Sequence, residues 1–479
     1  MRVALINAPY AVTYGPLRSA SGRYFPLGLG YIAAVLIKAG HEVRLEDPET
    51  EGLSSAGLAA RLTAFSPGLA GISCATPSFP NAARIATLVK RAAPACMTVA
   101  GGVHVSALPA ATLAQAPDLD VAVTGEGEET MLDLTRAAGA GPDALAGLPG
   151  IAYRGRDGST IVNPRRPLIR DLDSLPFPAR DLVSLDRYVP HAHNRRGRRA
   201  TTAISSRGCP FGCIFCASHV ALGRGFRAHS PGYVVAELEH LAAKFGVDQV
   251  IFNDDAFTID TGRVAAICDL IGSKGVRMAW SCFARADSIS PALLRSMKRA
   301  GCFSVGFGVE SGDPEILKRT GKNIALDKIR EAVAQTKEAG LKTQCFFVFG
   351  IPGETRETIE RTVKFAIELK PVLAFFNMMV PFPGTEEYAA RFGPEDRVPP
   401  GIRWEDWVAV GPRATVSIPG VPMLERSVAS ANRRFYFRPS QIMAMIRMAD
   451  GWREILQMGR GMLALMAQMV VWRLARRHK

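Results

Sequence analysis

A chain of 479 residues is too long for one ordinary hydrophobic core, so two domains and a tail are expected. Hydrophobic residues at 48% against 21% charged give a globular composition and exclude low-complexity disorder. The formal charge of +14 admits nucleic acid, an anionic membrane or a merely solvated basic surface, but no zinc-finger pattern or RNA-binding aromatic signature supports nucleic acid as a partner.

The chain begins with Val3-Ala4-Leu5-Ile6-Asn7, a buried parallel strand by pattern, and no signal peptide is expected before it. Residues 26–36 read as a helix stopped by Gly40, and residues 41–47 as the next strand. A helix at 58–63, a strand at 69–74, a helix at 82–92 and strands at 97–102 and 121–125 follow. This alternation predicts a doubly wound α/β domain over residues 1–140. Such sheets bind ligands beyond the carboxyl ends of their strands. There lie Ser73, Thr76, Ser78, Gly101, Gly102, His104, Gly125, Glu126, Gly127 and Glu128. Glycines at strand ends let backbone approach a large flat or phosphorylated ligand, and no dinucleotide fingerprint follows the first strand. For His104, a ligand role and an ordinary loop hydrogen bond both stand. The acidic run at 126–129 either meets a ligand or caps the helix at 130–137.

Residues 141–200 read as a connector of short loops rich in Gly, Pro and Arg. Arg195, Arg196, Arg198 and Arg199 close it as a basic knot, a phosphate grip or a solvated loop. Strands are then expected at 201–205, 249–253, 278–283, 304–310, 342–349 and 375–380, with helices at 237–245, 261–274, 291–300, 326–339 and 357–369. Six strands with intervening helices predict a partial or full parallel barrel over residues 201–385. Asp254, Asp255, Arg285, Glu310, Ser311 and Glu354 sit at its strand ends, the active face of such a fold.

Beyond residue 385 a helical C-terminal region is expected. Trp404 and Trp407 either cover the active site or pack. Residues 442–452 read as a helix. Residues 461–472 are nearly all apolar and are followed by Arg473, Arg476, Arg477 and Lys479. The stretch is short for a membrane span, so an interfacial helix with a basic end competes with a helix packed on the barrel or in a dimer.

The first barrel strand runs into Arg207-Gly208-Cys209-Pro210-Phe211-Gly212-Cys213-Ile214-Phe215-Cys216. Three thiolates on an iron–sulfur cubane leave one iron without a protein ligand, able to chelate an amino acid through its amine and carboxylate. S-Adenosylmethionine offers both, and one electron into its sulfonium yields a carbon radical. Phe211, Ile214 and Phe215 give such a cluster an apolar jacket. The competing account is a zinc or structural site completed by His219. The other six cysteines, Cys74, Cys96, Cys268, Cys282, Cys302 and Cys345, are scattered among apolar neighbours and read as buried thiols, which with an iron–sulfur loop points to a reducing cytoplasm.

The loop resembles the CxxxCxxC motif of the radical S-adenosylmethionine superfamily, and the barrel order is similar too. The resemblance implies a [4Fe-4S] cluster on Cys209, Cys213 and Cys216, with aromatic Phe215 beside them. It implies the methionine amino group at Asn253-Asp254-Asp255, the ribose near Ser311, and the adenine beside Gly350-Ile351-Pro352-Gly353-Glu354. The first domain resembles the Rossmann-like cobalamin-binding half of cobalamin-dependent members, on residues 26–31, 76–78, 101–104 and 125–128. One departure matters. Cobalamin mutases and methionine synthase carry DxHxxG after the first strand, whereas Asn7-Ala8-Pro9-Tyr10-Ala11-Val12 stands here, so the cobalt is expected to lack that histidine. In this group most chemistry is methylation of an unactivated carbon. Oxidative ring formation, as in anaerobic magnesium-protoporphyrin monomethyl ester cyclase, and rearrangement are alternatives, and a non-catalytic cobalamin and cluster sensor is one of another class. The resemblance also implies a small-molecule substrate, hydrophobic if the tail meets membrane, and a flavodoxin- or ferredoxin-like electron donor.

Overall fold

The computed structural model describes residues 1–10, 22–191, 194–393, 397–409, 421–448, 451 and 459. The expected helix at 442–452 is described only in part, and the apolar and basic segment after it lies outside the described residues, as do Ala11 and Val12.

Two sheets organise the chain. The first holds seven strands: β1 (Arg2–Asn7), β2 (Glu42–Glu46), β3 (Leu69–Ser73), β4 (Met97–Gly101), β5 (Val121–Val123), β6 (Ile151–Arg154) and β7 (Thr160–Val162). Their order is β2-β1-β3-β4-β5-β6-β7. The first five are parallel, and continuous buried runs such as Val3 to Ile6 fit strands covered on both faces. Helices Leu27–Lys38 and Glu128–Ala137 meet on one face, and Ser55–Phe65 and Phe79–Ala92 on the other. The order reverses at β1, and the register sets Asn7 beside Ser73 and Ser73 beside Gly101 along the carboxyl edge. That edge is the ligand-binding side of a doubly wound sheet.

Residues 141–200 differ from the expected run of loops. They supply β6 and β7, an antiparallel hairpin that extends the first sheet. Asp157-Gly158 turns it, with Gly158 at φ +79°, a dipeptide that marks hairpins. The rest of the stretch is pinned to the barrel: the buried Arg180 donates to Glu237 Oε1 and to the Thr202 carbonyl, both at 2.8 Å.

The second sheet is β8 (Ala200–Ala203), β11 (Gln249–Phe252), β12 (Ala279–Ala284), β13 (Cys302–Glu310), β14 (Lys342–Phe349) and β15 (Leu373–Met378), all parallel and paired in chain order. Strands β8 and β15 do not pair, so the barrel is open. A small ribbon of β9 (Ser206–Arg207) and β10 (Arg227–Ala228) stands at its mouth. Four of the helices between strands start on side-chain caps, at Ser230, Asp260, Ser290 and Thr355, each contributing about 1 kcal/mol.

Helix Val421–Tyr436 covers the edge strand β15. There Tyr436 accepts from the Ala374 N–H at 3.1 Å and donates to its carbonyl at 2.8 Å, which satisfies backbone that a sheet edge leaves open. Trp404 and Trp407 are packing residues, 3% and 2% exposed, and Trp404 donates to Gln115 of the first domain at 2.8 Å. The basic knot lies at the amino end of β8, remote from the barrel mouth. Arg199 pairs with Asp186 at 2.7 Å, and the backbone N–H groups of Arg198 and Arg199 bind Asp248 at 3.0 Å. The six scattered cysteines are all buried and unbridged. Among the described residues no helix is long and apolar enough to cross a membrane.

Candidate active site

The cysteine loop leaves β8 under tight control. Asp254 at the exit of β11 accepts from the Ser205 N–H at 3.0 Å, from the Ser205 hydroxyl at 2.7 Å and from the Ser206 hydroxyl. Gly208 follows at φ +82°, and a Cβ there would lie 2.2 Å from the Gly225 carbonyl oxygen, so only glycine fits. The Cys209, Cys213 and Cys216 thiols are half-buried and unbridged. Burial raises Cys209 and pushes Cys213 up to about 11, with the Lys322 ammonium pulling the latter down. A cationic cluster of iron ions reverses that balance and deprotonates a thiol outright. Phe215 packs against Ile316, Ile351 and Met379. Arg285 lies over the Phe211 ring, 3.4 Å from its centroid.

Among the described residues no three His, Cys, Asp or Glu side chains converge closely enough to hold one metal ion. A zinc site built on the cysteines and His219 requires such convergence. A cubane does not, because each thiolate binds a different iron.

The strand ends divide into committed and open groups. Asp254 is 2% exposed, and its carboxylate accepts from Ser205 and Ser206, which ties β8 to β11. Asp255 beside it is held above the usual carboxylate range by desolvation and the Asp254 charge, although its side chain still reaches solvent. Ser311 is also committed: it is 0% exposed, its hydroxyl lies 3.1 Å from Thr362 Oγ1 and accepts from the Asp313 N–H at 3.1 Å. Both stand at strand ends, as expected, with side chains engaged by protein groups.

Glu310 sits at φ +67° on a bulge of β13, an uncommon backbone for a residue with a side chain. Its carboxylate pairs with Lys322 Nζ at 2.6 Å, and Lys322 also donates to the Gly308 carbonyl at 2.5 Å. Lys322 was not singled out in the sequence, since it lies in a turn outside any motif. Arg285 donates to both oxygens of Asp287, at 3.0 and 2.8 Å, and to the Lys322 carbonyl at 3.1 Å. At the exit of β14, Gly350 takes φ +96° and its N–H donates to Glu354 Oε2. Pro352 stands half-buried in the same turn. Glu354 Oε1 is buried with no protein partner, and burial pushes the carboxyl up to about 7.

In the first domain a largely apolar cavity of about 200 Å³ opens at the strand ends. Ser73, Gly101, Gly102, Gly125, Glu126, Gly127 and Glu128 line it, with Ile204, Arg207 and Leu222 of the barrel closing the far wall. A Cβ at Gly28, Gly101 or Gly125 would meet no protein atom nearer than 3.8 Å, so three wall positions leave space that the chain itself does not fill. Thr76, Ser78 and His104 are not in that wall. The Ser78 hydroxyl closes a local turn on Ala75, at 3.0 and 3.1 Å. His104 is 1% exposed, between Phe79 at 4.5 Å and Trp404 at 4.9 Å, and its Nδ1 faces Thr76 Oγ1 at 3.4 Å. Burial pushes its pKa down to about 3, so it is a neutral core residue.

The two sites meet at Arg207, two residues before Cys209. Its guanidinium donates to Glu126 Oε1 and Glu128 Oε1, each at 2.7 Å, with Tyr31 beneath it at 5.1 Å. Arg227 adds a second bond to Glu126 at 2.9 Å. Glu126 and Glu128 thus bind the other domain's arginines, and Glu128 also opens the helix Glu128–Ala137. No local pattern marks Arg207 for this junction, since its partners lie about eighty residues away in sequence.

Comparison with known proteins agrees with this arrangement. Residues 203–366 match the radical SAM superfamily model and residues 15–135 the B12 binding domain model. The chain is 32% identical to an uncharacterized methyltransferase, PH0819, of Pyrococcus horikoshii, over 86% of this chain and 88% of that protein. It is 30% identical to the anaerobic magnesium-protoporphyrin IX monomethyl ester cyclase of Rubrivivax gelatinosus, over 80% of this chain and 68% of that protein. In fold it is similar to the radical S-adenosylmethionine methyltransferase TsrM from Kitasatospora setae, solved with cobalamin and a [4Fe-4S] cluster bound, with a TM-score of 0.67 at 19% identity over 94% of this chain and 91% of that one. A three-cysteine loop at a barrel mouth, facing a doubly wound domain with an unfilled strand-end cavity, is thus matched by relatives along most of its length, and the chain belongs to the cobalamin-dependent radical S-adenosylmethionine enzymes.

Proposed function

We propose that this enzyme methylates an unactivated carbon of a small molecule, with Cys209, Cys213 and Cys216 holding the cluster. The observation that carries the reading is the junction at Arg207, which fixes the cysteine loop against the strand-end cavity of the first domain. Bound in these two places, the cluster with S-adenosylmethionine supplies a 5′-deoxyadenosyl radical and cobalamin supplies the methyl group.

The chain's own residues hold and shield. Phe215, backed by Ile316, Ile351 and Met379, would keep water from the iron, with Phe211 and Ile214 beside it in the loop. Asp255, exposed at the exit of β11, offers a carboxylate for the ammonium group of an amino acid, while Lys322 and Arg285, paired with Glu310 and Asp287, brace the strand ends around it. Glu354 Oε1 has a free hydrogen-bonding position for the nucleoside, and with a pKa near neutrality it can donate as well as accept. Ser73, Gly101, Gly102, Gly125 and Gly127 form the wall for cobalamin, where small side chains let backbone approach a bulky ligand.

Anaerobic turnover with methyl-labelled S-adenosylmethionine and candidate extracts tests this. Label in a product, with S-adenosylhomocysteine and 5′-deoxyadenosine both formed, supports methylation. Cys213→Ala should abolish cluster-dependent cleavage, and retained cleavage would sink the site assignment. The similarity to cyclases favours a second reading, oxidative ring formation; its mark is 5′-deoxyadenosine with an unlabelled cyclised product. A sensor that does not turn over would release no 5′-deoxyadenosine. A reducing cytoplasmic setting, a flavodoxin- or ferredoxin-like donor and a peripheral membrane contact through the basic, apolar C-terminus complete the proposal. The buried free thiols support the first of these and the C-terminal composition the last, while the donor follows from the family resemblance.

A further inference from the structure

We propose that Arg207 is a positioning residue through which the two cofactor sites fill cooperatively; the inference deepens the reading above and rests on it. The wall of the strand-end cavity is built in part from both arms of the cysteine loop. Arg207, two residues before Cys209, and Leu222, six residues after Cys216, both line it. These two arms are joined. Arg207 pairs with Arg227 across the β9–β10 ribbon, and the Arg227 guanidinium donates to the Leu222 carbonyl at 3.0 Å. Helix Ser218–Leu222 begins two residues after Cys216, whose thiol lies 3.3 Å from the Ser218 hydroxyl. The same helix packs on Val103–Ala107 of the first domain.

Charge holds this wall to the first domain. Glu126 Oε1 accepts from Arg207 at 2.7 Å and from Arg227 at 2.9 Å, and Glu128 Oε1 accepts from Arg207 at 2.7 Å. The side chains of Arg207, Glu126 and Glu128 are at most 5% exposed. Both glutamates line the cavity as well. A buried charge parted from its partner is costly, so the junction has a made and a broken arrangement with little between. The made arrangement sets the cavity wall and, through Gly208, the start of the cysteine loop. Cobalamin needs the wall and the cluster needs the loop. Each therefore favours the made junction, and each must raise the affinity of the chain for the other by the same factor. Lysine at position 207 keeps the charge but cannot span both acids, so it should loosen the coupling and keep the fold.

Anaerobic equilibrium dialysis of hydroxocobalamin tests the coupling, on cluster-loaded protein and on the same protein stripped of iron by a chelator. In the parent the cluster should raise the affinity for hydroxocobalamin about tenfold, and hydroxocobalamin should slow iron loss to the chelator. Arg207→Lys, and separately Glu128→Gln, should bring the affinity ratio below about threefold. A purely structural role would weaken binding in both forms alike and leave the ratio where it stands in the parent. A parent-like ratio in both variants therefore overturns the proposal, and so does equal affinity in the two forms of the parent. Arg434→Lys, which alters the ion pair with Glu360 on the outer helix over β15, should keep the parent's ratio, and an equal fall there also overturns the proposal. Protein that takes up no cluster or no hydroxocobalamin would instead overturn the cofactor reading itself.

Discussion

Arg207 and Glu128 meet across the two domains, Nη2 to Oε1 at 2.7 Å, with both side chains only 5% exposed. Glu126 takes the other arm of the same guanidinium. Removing the cation leaves two carboxylates buried and under-compensated, which is the costly way to break a buried pair. Arg207→Met is therefore expected to lose about 3–5 kcal/mol in urea denaturation. Arg207→Lys should fall between, since one ammonium cannot span both acids as a planar fork does. Adding Glu128→Gln to Arg207→Met should recover part of the loss. Equal stability of Arg207→Met and the parent would show that the junction contributes nothing.

His104→Phe should leave the absorption spectrum and electron paramagnetic signal of bound cob(II)alamin unchanged. The imidazole is enclosed by Phe79 and Trp404, and a phenyl ring suits that enclosure. The signal should carry no splitting from a histidine nitrogen. Asn7, at the place where a histidine-bearing loop would begin, donates to Asp47 at 3.1 Å. A spectrum altered by His104→Phe would return that residue to the cobalt.

Glu354 gives a pH test. Its folded pKa, about 7, is raised from 4.5 by burial. A raised acid binds its proton more tightly in the folded state, so the stability it contributes is fully present below about pH 4.5 and is lost as pH rises through about 7. The parent should therefore lose stability relative to Glu354→Gln between about pH 5 and 7.5. Parallel denaturation profiles for the two proteins would remove the assignment.

The C-terminal segment of apolar residues followed by Arg473, Arg476, Arg477 and Lys479 is expected to bind anionic vesicles. Truncation after residue 453 should abolish flotation with them, and added salt should weaken flotation of the full chain. Flotation that survives truncation would end this idea.

Much of the scaffold was legible because buried parallel strands are short apolar runs broken by turns. Lys342–Phe349 reads that way in the sequence and folds that way. The cysteine loop was legible because ligand spacing is a local property. What was not legible depends on contacts between distant residues. At the ends of β11 and β13 the sequence does not show that Asp254 and Ser311 also hold the loop and a helix start, because Ser205, Ser206 and Thr362 come from distant segments. Lys322 enters the site only because the bulge at Glu310 brings the two together. The β6–β7 hairpin had a local signal in Asp157-Gly158, overshadowed by the Gly- and Pro-rich composition around it.

Gly208, pressed against the carbonyls of Leu222, Gly223 and Gly225, bears on how the three cysteines are spaced. Ile214 and Cys216 make their own backbone bonds, to Thr320 and Cys213 at 3.1 Å, and Glu387 reaches back to the Ile214 carbonyl at 3.1 Å. A side chain at position 208 would push the loop off those carbonyls, and the displacement would pass through these bonds to Thr320 and Glu387, so a change at a residue that holds nothing would respace all three cysteines at once.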